Sequence, residues 1–156
     1  LTIVGQGPLL VDLQAQCERL GIADRVTFSG FICDPHALAA LMGQADLLLQ
    51  PSRWEGLCAT LIEALACGAG VVATDSTPNI RAILAAAGQH PVVPVGDADA
   101  FGRAIERSLV RPAAPAQLGA AVRDHRVDLA LDRYVGAFAS LAGRVEARAL
   151  PSPVFP

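Results

Sequence analysis

The chain has 156 residues, of which 53% are hydrophobic and 17% are charged, so it can bury one sizeable core and does not have the composition of a disordered protein. Its net charge of −3, with no element rich in Lys and Arg, argues against a nucleic-acid surface. No uninterrupted apolar run reaches the roughly 18 residues of a membrane span, and no signal peptide is recognisable. The four cysteines form no C-x-x-C pair, which favours reduced structural thiols and a cytoplasmic protein.

Strand-like and helix-like segments alternate along the first 110 residues. In chain order, the pattern predicts a strand at residues 1–4, a helix at 8–20, a strand at 26–29, a helix at 35–42, a strand at 47–50, a helix at 57–67, a strand at 71–73, a helix at 78–87, a strand at 92–95 and helices at 98–110, 115–123 and 129–148. Five strands that alternate with helices predict an α/β fold, an open parallel Rossmann-like sheet with helices on both faces.

Punctuating residues support these boundaries. Pro8 suits the first position of a helix, Asp34 and Asp97 suit the amino-terminal cap, and Gly68 suits the stop of a helix. The continuous apolar run at residues 47–50 is typical of a central strand that is buried on both faces. Prolines flank residues 92–95, which indicates an edge strand.

The carboxyl ends of the predicted strands define the candidate site. Ligands of open parallel sheets bind beyond those ends, so we expect the loops at residues 5–8, 30–34, 52–60 and 75–78 to line one crevice. The stretch PSRWEGLCATLIEALACG places Glu55 before a glycine turn and Glu63 eight residues later, in a helix whose predicted apolar face is Leu57, Leu61, Ala64 and Leu65.

Two interpretations of this acid pair remain open on spacing alone. The backbone N–H groups of Cys58, Ala59 and Thr60 at the helix start would suit a diphosphate, and the acids, about 12 Å apart along a helix axis, could contact different parts of one extended ligand. Alternatively, Glu55 only caps the helix and Glu63 faces solvent. Against the second reading, Glu63 lies in an otherwise uncharged helix, where an acid without a partner would be poorly solvated.

Other chemistry-bearing residues give weaker signals. The Gly5-Gln6-Gly7-Pro8 segment lacks the third glycine of a dinucleotide fingerprint, so we interpret it as a tight strand-to-helix turn. Trp54 could stack on a sugar, although a lone Trp beside a strand is more often packing. Three remaining groups have no partner pattern: the histidines lack metal spacing, Ser52 lacks a catalytic triad, and Arg25 and Arg81 read as surface or capping groups.

Several segments together resemble a known family. The succession LTIVGQGPLL, DRVTFSGF, ADLLLQPSRWEGLCATLIEALACGAGVVATD and PVVPVGDADA is similar to the carboxyl-terminal, donor-binding domain of retaining GT-B glycosyltransferases of family four, also called group 1. The resemblance covers about residues 1–109, and the E-x7-E element within its ordered neighbours is the most specific part. It implies a nucleotide-sugar-binding domain at residues 1–110, helices of the same domain at 111–150 and a tail at 151–156.

The resemblance also implies residue roles. Glu55 would contact the donor sugar as the catalytic-site acid, Glu63 the ribose, and Phe31 and Ile32 the base. The sugar and diphosphate would lie on the backbone of Gly56, Leu57, Cys58, Ala59 and Thr60. The family's scheme uses no metal and no cofactor, and the nucleotide diphosphate sugar is a substrate.

The implied reaction is transfer of a sugar to an acceptor hydroxyl with retention at the anomeric carbon, in surface polysaccharide or glycolipid synthesis. The chain opens on LTIVG and lacks the family's upstream Arg and Lys and the acceptor-binding amino-terminal domain, so we expect a truncated, inactive fragment of an enzyme that works in the cytoplasm, where the full-length protein could associate with the inner face of the membrane. A GT-B nucleotide-sugar epimerase and a non-catalytic binding module are the alternatives. The base, the sugar, the acceptor and the oligomeric state stay undetermined by the sequence.

Overall fold

The computed structural model describes residues 1–88, 91–112 and 114–147. The chain divides into two compact units, of which the first is Leu1–Ala45 and the second begins at Asp46. The predicted helix end at Arg148 and the predicted tail at 151–156 lie outside the described residues.

The first unit contains one pair of parallel strands and two helices. Strand β1 (Thr2–Val4) pairs with strand β2 (Thr27–Gly30), with helix α1 (Leu10–Arg19) between them in sequence and helix α2 (Pro35–Gln44) after them. Helix α1 begins later than predicted, because Pro8 lies in the turn before the helix and not at its first position.

The second unit is built on a three-stranded parallel sheet. Its elements are strand β3 (Leu47–Gln50), helix α3 (Ala59–Ala66), strand β4 (Gly70–Thr74), helix α4 (Pro78–Ala86), strand β5 (Val92–Val93), helix α5 (Ala98–Val110), helix α6 (Pro115–Ala121) and helix α7 (Val127–Ala147). The strand order is β3-β4-β5, so β5 lies at an edge of this sheet, as predicted. The prediction of β3 as the fully buried central strand is wrong: β4 lies between its two neighbours and is buried throughout, whereas β3 is half-buried.

Helices cover both faces of this sheet. Val72 of β4 and Val93 of β5 pack with Ala104 of α5, and the side chains of β3 at Leu47 and Leu49 join the same cluster. Alternation along β4 turns Val71 and Ala73 to the opposite face, where α3 contacts the strand, and both residues are fully buried. This arrangement confirms the predicted α/β fold with parallel strands and helices on both faces, although the five strands form two hydrogen-bonded sheets, of two and three strands, and not the single sheet that was predicted.

Most helix boundaries follow their predicted caps. The carboxylate of Asp34 accepts a hydrogen bond from the N–H of His36, and that of Asp97 accepts one from Ala100. Gly68, just after α3, adopts a φ of 86°, which suits its predicted role as a helix stop. Within the described residues, no helix combines the length and the apolar character that crossing a membrane requires.

Helix α3 is shorter than predicted at its amino-terminal end. It begins at Ala59, so Leu57 lies outside the helix and is 61% exposed, whereas Leu61, Ala64 and Leu65 form the buried face as expected. The helix starts late because Cys58, the residue before it, has a left-handed backbone conformation that ends the preceding loop.

Candidate functional site

The candidate site lies in the loop between β3 and α3. Glu55 is five residues beyond the last residue of β3 and is half-buried, while its neighbours Trp54 and Gly56 are exposed. The loop therefore leaves the carboxyl end of a parallel strand, the position at which ligands of such sheets bind. The predicted location of Glu55 is in agreement with this geometry.

The carboxylate of Glu55 is held by two side chains of the same segment. The hydroxyl of Ser52 donates to Glu55 Oε1 at 2.6 Å, and Nε2 of Gln50 donates to the same oxygen at 2.5 Å. Nε2 of Gln50 also lies 3.2 Å from the Ser52 hydroxyl oxygen, which can accept its second N–H. Both bonds end on Oε1, so Oε2 accepts neither of them.

A residue of the central strand fixes this loop. The hydroxyl of Thr74, the last residue of β4, donates to the carbonyl of Ser52 in a short hydrogen bond, and it lies 3.3 Å from the carbonyl of Gln50. Thr74 is 4% exposed, so its hydroxyl needs this partner. The loop that carries Glu55 is thus tied to the neighbouring strand at the point where both strands end.

Cys58 completes the surroundings of Glu55. Its φ of 59° is the only positive φ of a non-glycine residue in the described part of the chain, and its side chain is buried. Burial, first, and then the charge of the Glu55 carboxylate and a side-chain hydrogen bond to it raise the pKa of the Cys58 thiol. The thiol therefore stays protonated at neutral pH and is a poor nucleophile.

The amino terminus of α3 offers free backbone donors next to Glu55. The carbonyl of Cys58 accepts hydrogen bonds from the N–H groups of Leu61 and Ile62, but no side chain caps the helix. The N–H groups of Ala59 and Thr60 are at the first two helical positions, where an intrahelical acceptor does not exist, and both residues are exposed. Partial positive charge at this terminus favours an anion.

Glu63 lies on the exposed side of α3. Glu63 is solvated and not enclosed as predicted, because Leu61, Ala64 and Leu65 form the buried face of the helix and leave Glu63 at the surface. The axial estimate of about 12 Å also fails, since Glu55 is not part of the helix. Glu63 is four residues from Ala59, about 6 Å along the axis, and its carboxylate is accessible to a ligand.

In the first unit, the predicted base-binding residues follow β2. Phe31 is 64% exposed and Ile32 is half-buried, so both can be reached from solvent. The turn after β1 is tied to the end of β2, because the N–H of Gly5 donates to the carbonyl of Gly30 at 2.9 Å. Gly5 has a φ of 134°, as a tight strand-to-helix turn requires.

The structure also shows where several residues with weaker functional signals lie. Trp54 is 80% exposed, so the interpretation as packing is wrong. Arg25 lies 3.9 Å from Asp24 and Arg81 pairs with Asp75, both at the surface, in agreement with their expected roles. Among the described residues, no group of three or more His, Cys, Asp or Glu side chains could hold a metal ion, and His90 lies outside them.

Two side chains of the site, Gln50 and Thr74, are not among the predicted site residues, and Cys58 is predicted only through its backbone. The sequence pattern makes Gln50 the end of a strand, puts Thr74 just after the strand at 71–73, and includes Cys58 in a helix. Strand register could have indicated Thr74, because Gln50 pairs with Ala73 and the next residue of β4 extends beyond the end of β3. The enclosed hydroxyl of Ser76, in the loop after β4, has no hydrogen-bond partner among the described residues.

Comparison with solved structures identifies the fold. The chain superimposes on a lipopolysaccharide outer core galactosyltransferase with a TM-score of 0.73 over 89% of this chain and 40% of that chain, at 22% identity. The protein therefore belongs to the class of GT-B glycosyltransferase folds. Two features agree with this class: the parallel sheet has helices on both faces, and an acid lies beside the uncapped start of a helix at the carboxyl edge of the sheet.

The particular family follows from the sequence comparison. The family described as glycosyl transferases group 1 matches residues 1–125, and the chain belongs to it. A GDP-mannose-dependent α-(1-6)-phosphatidylinositol monomannoside mannosyltransferase of Mycolicibacterium smegmatis is 36% identical over 95% of this chain and 41% of its own length. A 2-deoxystreptamine N-acetyl-D-glucosaminyltransferase of Streptomyces fradiae is 33% identical over 85% of this chain and 33% of its own length. The chain thus spans between a third and two fifths of the length of these relatives.

Proposed function

We propose that this chain is the donor-binding domain of a longer retaining glycosyltransferase of family four, with residues 1–110 as its nucleotide-sugar-binding part and the helices at 111–150 as an extension of the same domain. The enzyme transfers a sugar from a nucleotide diphosphate sugar to an acceptor hydroxyl. The observation that carries the proposal is the half-buried carboxylate of Glu55 next to the uncapped amino terminus of α3. A nucleotide-sugar donor needs two recognition elements: an acid that accepts hydrogen bonds from the sugar hydroxyls, and backbone N–H groups that donate hydrogen bonds to the diphosphate.

The same proposal gives a role to each predicted site residue. Glu55 binds hydroxyl groups of the donor sugar, and the backbone from Gly56 to Thr60 binds the diphosphate. Glu63, accessible on α3, binds the ribose, and the exposed ring of Phe31 together with Ile32 binds the base.

The proposed chemistry is positioning and electrostatics. The departing diphosphate gains negative charge, and the N–H groups of Ala59 and Thr60 with the helix dipole stabilise that charge. The Cys58 thiol next to Glu55 is a poor nucleophile, because its raised pKa keeps it protonated at neutral pH. The reaction proceeds without a metal or a cofactor, so activity of the purified enzyme is expected to survive a chelator.

The acceptor and the setting come from the relatives. One relative acts on a phosphatidylinositol mannoside, and a solved neighbour serves the lipopolysaccharide outer core. We infer that the complete enzyme builds a surface polysaccharide or glycolipid, that a further domain binds the acceptor, and that the reaction takes place in the cytoplasm at the inner face of the membrane.

Substitution of Glu55 tests the donor site. In the complete gene product, Glu55→Gln is expected to lower kcat/KM for the nucleotide sugar by roughly 10- to 150-fold, since hydrogen bonds to a charged group contribute about 1.5–3 kcal/mol. Transfer to acceptor is measured by mass spectrometry with a panel of nucleotide sugars. Glu106→Gln, which removes an exposed carboxylate of α5, is the matched control and is expected to retain full activity.

Three results would contradict the proposal. Full transfer by the Glu55→Gln enzyme would remove Glu55 from the donor site, and an inverted anomeric centre in the product, read by NMR, would rule out a retaining enzyme. An epimerised nucleotide sugar without transfer would identify an epimerase in place of a transferase.

A further inference from the structure

The hydrogen bonds around Glu55 assign functions to residues that have no direct role in the proposed donor contacts. We propose that Ser52 and Gln50 are positioning residues: by holding Oε1 of Glu55, they fix the orientation in which the carboxylate meets the sugar. This inference rests on the proposed function of Glu55 and adds the groups that determine its orientation.

The donors and acceptors of the three side chains are mutually consistent. A carboxylate can only accept, so Gln50 must present its NH2 group to Glu55, and the second N–H of that group then reaches the Ser52 oxygen. The Ser52 proton is left for Glu55 Oε1. Because Gln50 and Ser52 both donate to Oε1, these two side chains fix that oxygen of the carboxylate, and the Cys58 thiol forms a further hydrogen bond to the same carboxylate.

The positions of these groups in the fold make them rigid. Gln50 is the last residue of β3, where it is paired with Ala73 of β4, and its side chain is half-buried. Ser52 is two residues further along, and its carbonyl accepts the hydroxyl of Thr74 from the central strand. An acid in an exposed loop would otherwise sample several rotamers, and a binding contact is stronger when its side chain is already in the productive orientation.

The hydrogen bonds explain how an acid on a short, glycine-containing loop is held in one orientation. Gly56 follows Glu55 directly and is exposed, so the backbone alone does not fix the carboxylate. The side chains that fix it come from before the loop, and the buried Cys58 thiol borders it from after the loop. Glu55 is therefore contacted by side chains from both ends of the loop, and it stays half-buried, so a sugar can still reach its carboxylate.

A double-mutant cycle tests the positioning role in the complete gene product. Ser52→Ala and Gln50→Leu are each expected to lower kcat/KM for the sugar donor by about tenfold, the equivalent of one hydrogen bond. In the background of Glu55→Ala, the same two changes are expected to have less than a twofold effect, because no carboxylate remains to be positioned. Ser52→Thr, which keeps the hydroxyl, is expected to recover most of the activity.

A second measurement separates positioning from a loss of structure. Affinity for the nucleoside diphosphate without sugar is expected to stay within twofold of wild type in the Ser52→Ala and Gln50→Leu proteins, since that ligand does not need Glu55. Ser108→Ala, a half-buried serine of α5, is the matched control for loss of a hydroxyl. If Ser52→Ala weakens nucleoside diphosphate binding as much as sugar-donor turnover, the role is structural and the positioning proposal is wrong.

The outcomes distinguish the two proposals. If Glu55→Ala has no effect on transfer, the proposed function of Glu55 fails, and the positioning role fails with it. If Glu55→Ala lowers activity while Ser52→Ala and Gln50→Leu do not, or if their effects persist unchanged without the carboxylate, only the positioning proposal is overturned.

Discussion

At the scale of single residues, Cys58 has a backbone conformation that normally suits glycine. The structure gives Cys58 a φ of 59°. A left-handed conformation costs an L-residue roughly 1–2 kcal/mol, which glycine avoids. The thiol is nevertheless buried against Glu55, so the residue has both an unfavourable backbone and a favourable side-chain environment.

Two substitutions at Cys58 separate these contributions. Both Cys58→Ala and Cys58→Gly remove the thiol, but only glycine relieves the backbone strain. The glycine variant is therefore expected to be more stable than the alanine variant by about 1 kcal/mol, opposite to the order found in a helix interior. Urea denaturation of the two proteins measures the difference. An alanine variant of equal or greater stability would show that the loop relaxes out of the left-handed conformation.

At the scale of secondary-structure elements, helix α3 links the core to the proposed donor site. One side of the helix is fully buried, with Leu61, Ala64 and Leu65 at 0% exposure, and the other side carries Glu63. Its contacts with β4 and α6 fix the helix, and so they fix the direction of the free N–H groups at its amino terminus. Packing on one side of α3 thus determines where an anion can bind at its end.

A pair of leucine substitutions tests the observed start of α3. Leu61→Ala is expected to lower the free energy of unfolding by about 2–5 kcal/mol, because it leaves a cavity in a fully buried position. Leu57→Ala, at a residue that is 61% exposed, is expected to change it by less than about 0.5 kcal/mol. Denaturant titration of both variants gives the comparison. Equal losses of unfolding free energy would show that Leu57 belongs to the buried face of the helix, as the sequence pattern predicts.

At the scale of the whole molecule, burial is unequal between the two units. Every residue of β4 in the second unit is buried, whereas β1 and β2 of the first unit are made of exposed and half-buried residues. The buried apolar residues described in the first unit are Cys17 and Met42. Local stability follows buried apolar contacts, so the two units are expected to open with different free energies.

Hydrogen exchange followed by mass spectrometry measures this difference. Amides of β4 and of the buried side of α3 are expected to exchange slowest in the chain, and those of β1 and β2 at least tenfold faster, because opening the first unit exposes less apolar surface. Uniform exchange of all five strands would show that the chain opens as one cooperative unit.

Much of the fold was predictable because local signals and the fold agree. Alternating strands and helices, the caps Asp34 and Asp97 and the stop at Gly68 all depend on residues close in sequence, and the structure confirms them. Which strand is the most deeply buried was less predictable. Three consecutive leucines at β3 indicated a central strand, but the neighbours of a strand depend on the whole sheet, and the structure places β4 between β3 and β5.

For the candidate site, the sequence by itself determined which chemical groups are present. Glu55 and Glu63, the glycine turn and the helix start can be identified from one short stretch, because they lie within nine consecutive residues. Only the tertiary structure decided how Glu55 is held, since Thr74 is 22 residues from the Ser52 carbonyl that it binds, and whether Cys58 has a left-handed backbone. It also placed Glu63 at the surface, because exposure depends on what packs against α3 and not on the composition of the helix.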